Sequence, residues 1–287
     1  MRKNRSSLLF ASCLAIAGIL LVQMAMYVLH VMLGFQLRFN LFEVCTIWLE
    51  SLGFDSLIYP MNGLVFYTLA GAAALTFRQL WLSRSMAGKL ASLRDDRLTG
   101  ELNRRYPEGQ ADLTVIAHRE PMAFTMGFVA PRIVLSTGLL ELLDERETEA
   151  VIHHERFHKR HRDPLRMYVL SLIAALMWYL PILKWLHRNY KLTRELLADD
   201  HAISAMGSSA FIGSALLKLL KRVSGRRERK MSALAHVSFA DTSVNCRIRR
   251  ILDPQETVPL EWPITPLMVS LHVLALLTAM FFIGLIM

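Results

Sequence analysis

Three long stretches of the chain contain no Asp, Glu, Lys or Arg. They lie between Arg5 and Arg38, between Asp55 and Arg78, and after Glu261. A helix needs about 20 apolar residues to cross the hydrocarbon core of a bilayer, and each stretch reaches that length. A helix buried in a soluble core is the alternative interpretation of any single stretch. The pattern therefore predicts three membrane spans, near residues 7–33, 59–77 and 264–286.

Basic residues flank these predicted spans unevenly. They precede the first span and follow the second, whereas the segment 34–58 between them has a single basic residue, Arg38. Because Lys and Arg concentrate on cytoplasmic flanks, we expect a plasma-membrane protein whose N-terminus and the region after Arg78 are cytoplasmic, with the C-terminus at the outer face. A cleaved signal peptide at 1–25 is the alternative, but the apolar stretch is longer than a signal core. The predicted domains are two helical spans with a short extracellular loop at 1–77, a cytoplasmic domain at 78–260 and a C-terminal span at 261–287.

Composition narrows the partners of the cytoplasmic domain. The formal net charge is +9, and 53% of residues are hydrophobic. A basic cytoplasmic part favours the anionic lipids of the inner leaflet. The sequence contains no DNA- or RNA-binding motif, so we expect no direct nucleic-acid partner. Cys13, Cys45 and Cys246 are too scattered to indicate a disulfide framework or a zinc–thiolate site.

A change of pattern in the cytoplasmic domain predicts a small sheet followed by a helix. The β-branched stretches at 112–118 and 122–137 predict three short strands. A helix is expected to begin near Asp144, because Asp144 and Glu147 have the spacing of a capping box. Pro164 should end that helix. We therefore expect a short antiparallel sheet ahead of a helix.

Four histidines lie within nine residues on the second half of this predicted helix. Residues four apart share one helix face, so His154 and His158 can point at a single ion. With Glu155 between them they form the H-E-x-x-H pattern of zinc peptidases, in which the glutamate takes a proton from the attacking water. His153 has no such partner, because Phe157 stands four residues later. A solvated helix end, where histidines meet the negative pole of the helix, is the alternative.

A catalytic zinc needs a third protein ligand, and the stretch TRELLADDHAIS offers acidic residues four apart. Glu195 could coordinate the ion, and Asp199 could accept the second ring N–H of a ligand histidine. An acidic, solvated helix face is the alternative interpretation, and Asp200 and His201 are neighbouring candidates. Three residues are open candidates for stabilising an oxyanion: His201, His236 and Arg247.

The stretch Met167–Leu183 constrains the path between the histidines and Glu195. These 17 apolar residues would rise about 25 Å as a straight helix, less than the roughly 30 Å of a hydrocarbon core. A full crossing would leave Glu195 on the opposite side of the membrane from His158. We therefore predict a membrane-associated helical hairpin near 165–190, bent at Pro181.

Two stretches together carry a resemblance to a known family, MAFTMGFVAPRIVLSTGLLELLDERETEAVIHHERFHKRHRDPL and RELLADDHA. They resemble the BlaR/MecR-type membrane zinc peptidases, the antirepressor enzymes of β-lactam signalling, and more distantly HtpX-type and CAAX-prenyl membrane proteases. The resemblance implies a mostly α integral membrane protein with a small α+β, gluzincin-like zinc protease domain. It implies one Zn²⁺ per chain, held by His154, His158 and Glu195, with Glu155 as the base.

The resemblance also implies how substrate and regulation enter. In such proteases an edge strand beside the zinc pairs with extended substrate backbone, and Ala123, Phe124 and Thr125 would form that edge; a plain core strand is the alternative. Sensor members cleave themselves before the last span, which implies a cleavage loop at 224–230; a solvated, lipid-facing charge run is the alternative. They also carry an extracellular penicillin-binding domain, which we do not expect here because the sequence stops at Met287.

The predicted function is that of a membrane-embedded zinc endopeptidase. The resemblance implies that the substrate is a cytoplasmic regulatory protein, such as a transcriptional repressor, cleaved in signal transduction. Quality-control proteolysis of membrane proteins and a non-catalytic signalling scaffold are the two alternatives. Besides protein substrate and lipid, a second copy of the chain is a candidate partner, as a homodimer.

Overall fold

Helices dominate the fold, and three short strands form its sheet. The structure, a computed structural model, describes residues 2–34, 40–107, 111–227, 237–253 and 263–286. The strands are β1 (Leu113–Ile116), β2 (Ala123–Met126) and β3 (Arg132–Ser136). The helices are α1 (Arg2–Leu33), α2 (Leu41–Ser51), α3 (Ile58–Ser92), α4 (Asp96–Arg105), α5 (Thr137–Leu142), α6 (Glu145–Arg160), α7 (Asp163–Leu176), α8 (Pro181–Met206), α9 (Ala210–Arg227), α10 (Val237–Leu252) and α11 (Ile264–Ile286).

The chain divides into two compact units, which we name the apolar unit and the sheet unit. The apolar unit consists of Asn4–Trp81, Tyr168–Tyr190 and Glu261–Met287. The sheet unit consists of Met1–Lys3, Leu82–Met167 and Lys191–Leu260. All the residues that the sequence analysis proposes for catalysis or metal binding fall in the sheet unit.

Two helices are long and apolar enough to cross a membrane, by length and composition. They are Asn4–Leu33 and Asp55–Ser92, and over the described side chains Ile264–Leu276 is a shorter apolar helix. Large apolar side chains on the two long helices are exposed, for example Leu8 at 67% and Phe77 at 74%. Such exposure fits contact with lipid and disfavours the interpretation of these helices as the core of a soluble protein.

The segment between the first two predicted spans contains a helix, α2, as well as connecting residues. The side chain of Asn40 caps α2 by accepting hydrogen bonds from the backbone N–H groups of Phe42 and Glu43. Asn40 in turn donates to the backbone oxygen of Gln23 at 2.7 Å, and α2 packs against α11. The segment was predicted from sequence as a short loop. The helix α2 has eleven residues, which is too few to span a membrane.

The helices α7 and α8 are separated by the four residues 177–180. Pro181 is the first residue of α8, where its missing N–H costs no helical hydrogen bond. Within the apolar unit, the hydroxyl of Tyr168 donates to Thr76 Oγ1 at 3.0 Å. The backbone N–H of Ile182 donates to Ser270 Oγ at 3.1 Å. These contacts hold the stretch between the histidines and Glu195 against α3 and α11, and its membrane association stays a prediction.

The sheet is mixed, with the strand order β1-β3-β2. β2 pairs antiparallel with β3, but β1 pairs parallel with β3, so the prediction of an antiparallel sheet is wrong for one of the two pairings. A tight turn after β2 accounts for the antiparallel pairing of β2 with β3: Gly127 has φ +101°, and a Cβ there would lie 2.9 Å from the oxygen of Ala130. The turn folds β3 back alongside β2, and strand composition alone does not distinguish the two kinds of pairing.

The helix α6 begins where the sequence predicts. Asp144 Oδ1 accepts from the N–H of Glu147 at 2.8 Å, and the N–H of Asp144 donates to Glu147 Oε2 at 2.9 Å, which confirms the capping box. The helix ends at Arg160, and Pro164 lies in the first turn of α7. Between the two helices Arg162 has φ +52°, a left-handed conformation that is uncommon for a residue with a side chain.

The carboxylate of Glu147 also joins α6 to α9. It accepts from Ser214 Oγ and from Lys218 Nζ, each at 2.6 Å, and its residue is only 3% exposed. Burial by itself raises the pKa of Glu147. The hydrogen bonds from Lys218, Ser214 and the N–H of Asp144 lower it by more than burial raises it, so the net shift of the pKa is downward. A lowered pKa means that the carboxylate stabilises the fold above its unfolded pKa of about 4.3, and that this contribution disappears as pH falls through the folded value.

We expect Glu147→Ala to destabilise the sheet unit by about 1–3 kcal/mol, because it removes a buried carboxylate that accepts hydrogen bonds from Ser214, Lys218 and the N–H of Asp144. Glu149→Ala, on the same helix but 29% exposed at the side chain, is the matched control and should change little. Thermal unfolding in detergent at pH 7 measures both variants. As pH falls from about 4.3 through the lowered pKa of folded Glu147, the difference between Glu147→Ala and wild type should shrink, and a difference that stays constant throughout this acid range would contradict the assignment.

Candidate metal centre

Three side chains from two helices converge at one point in the sheet unit. His154 and His158 lie one turn apart on α6, and their Nε2 atoms are 3.2 Å apart. Glu195 on α8 places Oε2 3.7 Å from His154 Nε2 and Oε1 3.9 Å from His158 Nε2. Among the described residues these three form the group of donor atoms that could hold a metal, all within 4.8 Å of one another.

The spacing of these donors fits zinc. Two nitrogen ligands of a tetrahedral zinc, each about 2.0–2.1 Å from the ion, lie ~3.3 Å apart, close to the 3.2 Å between the two imidazoles. The Glu195 oxygens are a few tenths of an ångström further out, a separation that a small rotation of a glutamate side chain closes. Two imidazoles and one carboxylate are also the donor types of catalytic zinc sites, which keep a fourth position open.

A buried carboxylate stands behind each histidine. His154 Nδ1 lies 2.9 Å from Asp199 Oδ1, within ion-pair distance although the two are not aligned as a hydrogen bond. Asp199 therefore stands where the sequence analysis proposed an orienting residue. His158 Nδ1 lies 2.8 Å from Asp163 Oδ2. Carboxylates in such positions fix the orientation of metal-binding imidazoles.

Asp163 was missed by sequence reasoning. It follows His158 by five residues, and it reaches the ring because the left-handed Arg162 redirects the chain between α6 and α7. Its Oδ2 also accepts from Arg194 Nε at 2.9 Å, and Arg194 stacks over the ring of Phe157 at 4.4 Å. The one available signal was an acidic residue just after the histidine helix, which is too common a feature to single out.

Arg247 on α10 binds two acidic residues of α8, Glu195 and Asp199. Its Nε and Nη2 donate to the two carboxylate oxygens of Asp199, each at 2.8 Å, and its Nη1 lies 3.1 Å from Glu195 Oε2. The acidic face of α8, for which exposure to solvent was the alternative interpretation, is therefore covered by the basic helix α10. The sequence analysis named Arg247 as an oxyanion candidate, and the structure commits its guanidinium to these two carboxylates.

The charges of the centre shift the pKa values of its members. Burial alone would lower the pKa of His154, but Asp199 and Glu195 raise it to about 9. Burial likewise raises the pKa of Glu195 and of Asp199, yet His154 and Arg247 hold both carboxyl groups well below their usual range. A bound metal would displace the proton of His154, because an imidazole ligand is neutral.

Charge balance in the centre favours a divalent ion. With both imidazoles neutral, as metal ligands are, the four carboxylates of the centre exceed its two guanidinium groups by two negative charges. The carboxylates are those of Glu155, Asp163, Glu195 and Asp199, and the guanidinium groups are those of Arg194 and Arg247. Buried charge is stable only when it is paired, and one doubly charged cation would neutralise this excess.

Glu155 lies beside the proposed ligands without being one of them. It is 8% exposed, and its Oε2 accepts a hydrogen bond from Thr125 Oγ1 at 2.8 Å. Thr125 belongs to β2, which is an edge strand because β3 pairs with it on one side only. The proposed base and the proposed substrate-binding edge, Ala123 to Thr125, are thus in direct contact.

A cavity of about 640 Å³ brings these groups together. The histidines, Glu155, Glu195, Arg247 and the strand residues Ala123, Phe124 and Thr125 all line it. An apolar part of its lining comes from α9, through Ile212, Ala215, Leu216 and Leu219. The cavity is large enough for several residues of a peptide chain, and it exposes them to both the carboxylate base and the strand edge.

Other sequence candidates lie elsewhere. His201 packs against the rings of His153 and Phe157 and is not among the residues that line the cavity. Asp200 lies 3.8 Å from Arg250, away from the metal ligands. His236 falls outside the described residues, and of the predicted cleavage loop at 224–230 only the backbone up to Arg227 is described.

The family follows from the sequence profile that the chain matches. Residues 46–251 match BlaR1 peptidase M56, a range that is well over half of the chain and includes every residue of the proposed centre. The protein therefore belongs to the BlaR1 peptidase M56 family. This result agrees with the resemblance that the two quoted stretches carry.

Individual relatives carry two kinds of name, protease HtpX homolog and regulatory protein BlaR1. The chain is 26% identical over 208 residues to a protease HtpX homolog of Pyrobaculum aerophilum, covering 72% of this chain and 59% of the relative. It is 31% identical over 134 residues to a protease HtpX homolog of Archaeoglobus fulgidus, covering 44% and 38%. It is 25% identical over 153 residues to regulatory protein BlaR1 of Bacillus licheniformis, covering 51% and 25%.

The matched region is less than two-thirds of the length of each of these three relatives. No solved structure matches the chain.

Proposed function

We propose that this protein is a membrane-embedded, zinc-dependent endopeptidase. The observation that carries the proposal is the meeting of His154, His158 and Glu195 within 4.8 Å, with Glu155 beside them in one cavity. Membership of a peptidase family and two helices that could cross a bilayer support the same conclusion.

The chemistry divides between the metal and the protein. A zinc ion held by the three ligands would supply Lewis-acid polarisation to a peptide carbonyl and to the attacking water. Glu155 would take the proton of that water, so that the oxygen forms its bond to the carbonyl carbon. As the C–N bond breaks, Glu155 would pass the proton to the leaving amine nitrogen, which returns the carboxylate to its starting state.

Substrate backbone would bind along β2. An extended peptide can pair with the free edge of a sheet through main-chain hydrogen bonds, and the edge at Ala123–Thr125 lines the same cavity as Glu155. The apolar wall from α9 would receive uncharged side chains on the other side of the peptide. The contact between Thr125 and Glu155 would couple the position of the backbone to that of the base.

A cytoplasmic regulatory protein, such as a transcriptional repressor, is the proposed substrate. Two observations support this choice: the family is that of BlaR1, and one relative is named as a regulatory protein. The distribution of basic residues around the apolar helices supports a cytoplasmic catalytic part in the plasma membrane.

Broad proteolysis of membrane proteins is the second candidate function. It is favoured by the relatives named protease HtpX homolog, of which one covers 72% of the chain against 51% for the BlaR1 relative. The two candidates differ in the number of substrates, since a regulatory enzyme cleaves one or a few sites.

Comparative proteomics of cells that express wild type or Glu155→Ala tests the proposal. We expect new protein termini that depend on Glu155, and their number separates the two candidates. A single cleaved regulator supports signalling, whereas many cleaved membrane proteins support quality control. Identical termini in both strains, together with full biological activity of Glu155→Ala, would establish the non-catalytic scaffold instead.

A further inference from the structure

We propose that Arg247 is a positioning residue that holds the third metal ligand and one orienting carboxylate in place. The inference rests on the proposed function, since it concerns the same metal centre. One guanidinium contacts Glu195 and Asp199, and these two acids stand four residues apart on α8. It therefore links the ligand from α8 to the orientation of the ligand His154 on α6.

The geometry at Asp199 shows why arginine suits this place. Arg247 donates Nε to one carboxylate oxygen and Nη2 to the other, both at 2.8 Å. This paired contact fixes the plane of the carboxylate, and it turns Oδ1 toward His154 Nδ1, 2.9 Å away. Asp199 is 1% exposed, so water does not substitute for the guanidinium.

The third nitrogen of the same guanidinium acts on Glu195. Nη1 lies 3.1 Å from Oε2, the oxygen that also faces His154 Nε2. Without this contact, the Glu195 side chain would be free to leave the two imidazoles. The repulsion between Glu195 and Asp199, four residues apart on α8, would also lose the guanidinium that offsets it. Arg247 is itself 15% exposed at the side chain, so the contact is shielded from solvent.

Arg247 comes from an element that is firmly docked. Ile251, four residues later on α10, is 6% exposed and belongs to the main apolar core of the sheet unit. Its Cγ2 would lie 3.0 Å from a Cβ at Gly213 of α9, so the two helices approach closely. The neighbouring Arg250 reaches Asp200 at 3.8 Å, outside the metal centre.

The test uses the full-length protein in detergent and compares four forms: wild type, Arg247→Gln, Arg247→Lys and the matched control Arg250→Gln. Zinc affinity is measured by competition with a chromogenic chelator. The absorption spectrum of the Co²⁺-loaded protein reports the ligand geometry directly. The values of kcat and KM are measured on a peptide that spans the cleavage site identified by proteomics.

We expect Arg247→Gln to bind zinc about 10–100-fold more weakly and to alter the Co²⁺ spectrum. Its kcat should fall by a similar factor while KM stays within about twofold, because the strand edge is untouched. Arg247→Lys keeps the charge but not the paired contact, so it should fall between wild type and Arg247→Gln. Arg250→Gln should match wild type in all measurements.

Wild-type zinc affinity and an unchanged Co²⁺ spectrum in Arg247→Gln would overturn the inference. If Arg247→Gln does not fold, Arg247→Lys decides: a folded lysine variant with wild-type affinity and spectrum would overturn it equally. A wild-type protein that binds no zinc and cleaves nothing would refute the proposed function itself. Zinc binding and cleavage by wild type that survive unchanged in Arg247→Gln would refute the positioning role alone.

Discussion

Replacing Glu155 with glutamine is expected to lower kcat by about 10²–10⁴-fold, the usual contribution of a general base. Zinc affinity should stay within about twofold of wild type, because Glu155 is not one of the three side chains that converge on the proposed ion. The glutamine carbonyl can still accept the hydrogen bond from Thr125 that the carboxylate accepts now. The variant therefore keeps the shape of the site but cannot take a proton.

Glu149→Gln is the matched control for this prediction. It makes the same chemical change on the same helix, at a position whose side chain is 29% exposed and which does not line the cavity. Peptide cleavage and chelator competition are measured on both variants. A Glu155→Gln protein with nearly full kcat would exclude Glu155 as the base, whereas loss of zinc from that variant would point to a ligand role instead.

Removing one imidazole should abolish both the metal and the activity. In His158→Ala we expect zinc stoichiometry after gel filtration to fall from about one per chain to near zero. Only His154 and Glu195 would then remain of the three converging donors, and Asp163 would lose the ring that it contacts at 2.8 Å. Two ligands hold zinc far more weakly than three, so excess zinc in the assay should restore little activity.

His153→Ala tests the register of the same prediction. His153 precedes His154 directly, but its ring faces His201 and it does not line the cavity. This variant should keep zinc and cleave peptide at close to the wild-type rate. Elemental analysis of both proteins measures the metal; a His158→Ala protein that retains a full equivalent of zinc would show that the ligand set is wrong.

The proposed ligands were accessible from sequence because their arrangement is mostly local. Helical periodicity alone puts His154 and His158 on one face, and a capping box marks where that helix starts. Glu195 needed a second motif at a distance, and the same reasoning placed Asp199 behind a histidine. Local patterns thus identify the three proposed metal ligands, but they do not predict which elements surround them.

The surroundings depend on turns and on docking that no local pattern encodes. Asp163 reaches His158 because Arg162 adopts a left-handed backbone conformation. An arginine in the sequence does not predict that conformation. Arg247 lies 48 residues after Asp199 in the chain. The two side chains meet because α10 packs against α9. The parallel pairing of β1 with β3 likewise follows from chain order in space, since the same β-branched residues serve either pairing.

The docking of α10 bears on how shortened versions of this protein should be designed. Leu252 ends α10 and Ile264 begins α11, so the eleven residues 253–263 separate the helix that carries Arg247 from the apolar C-terminal helix. A version of the chain cut after α9 would retain every recognisable peptidase motif, yet we expect it to purify with little zinc. A chain that ends just after Asp253 would instead lack the apolar helix α11 and keep Arg247. The position of a C-terminal truncation therefore decides whether the shortened protein is expected to retain zinc.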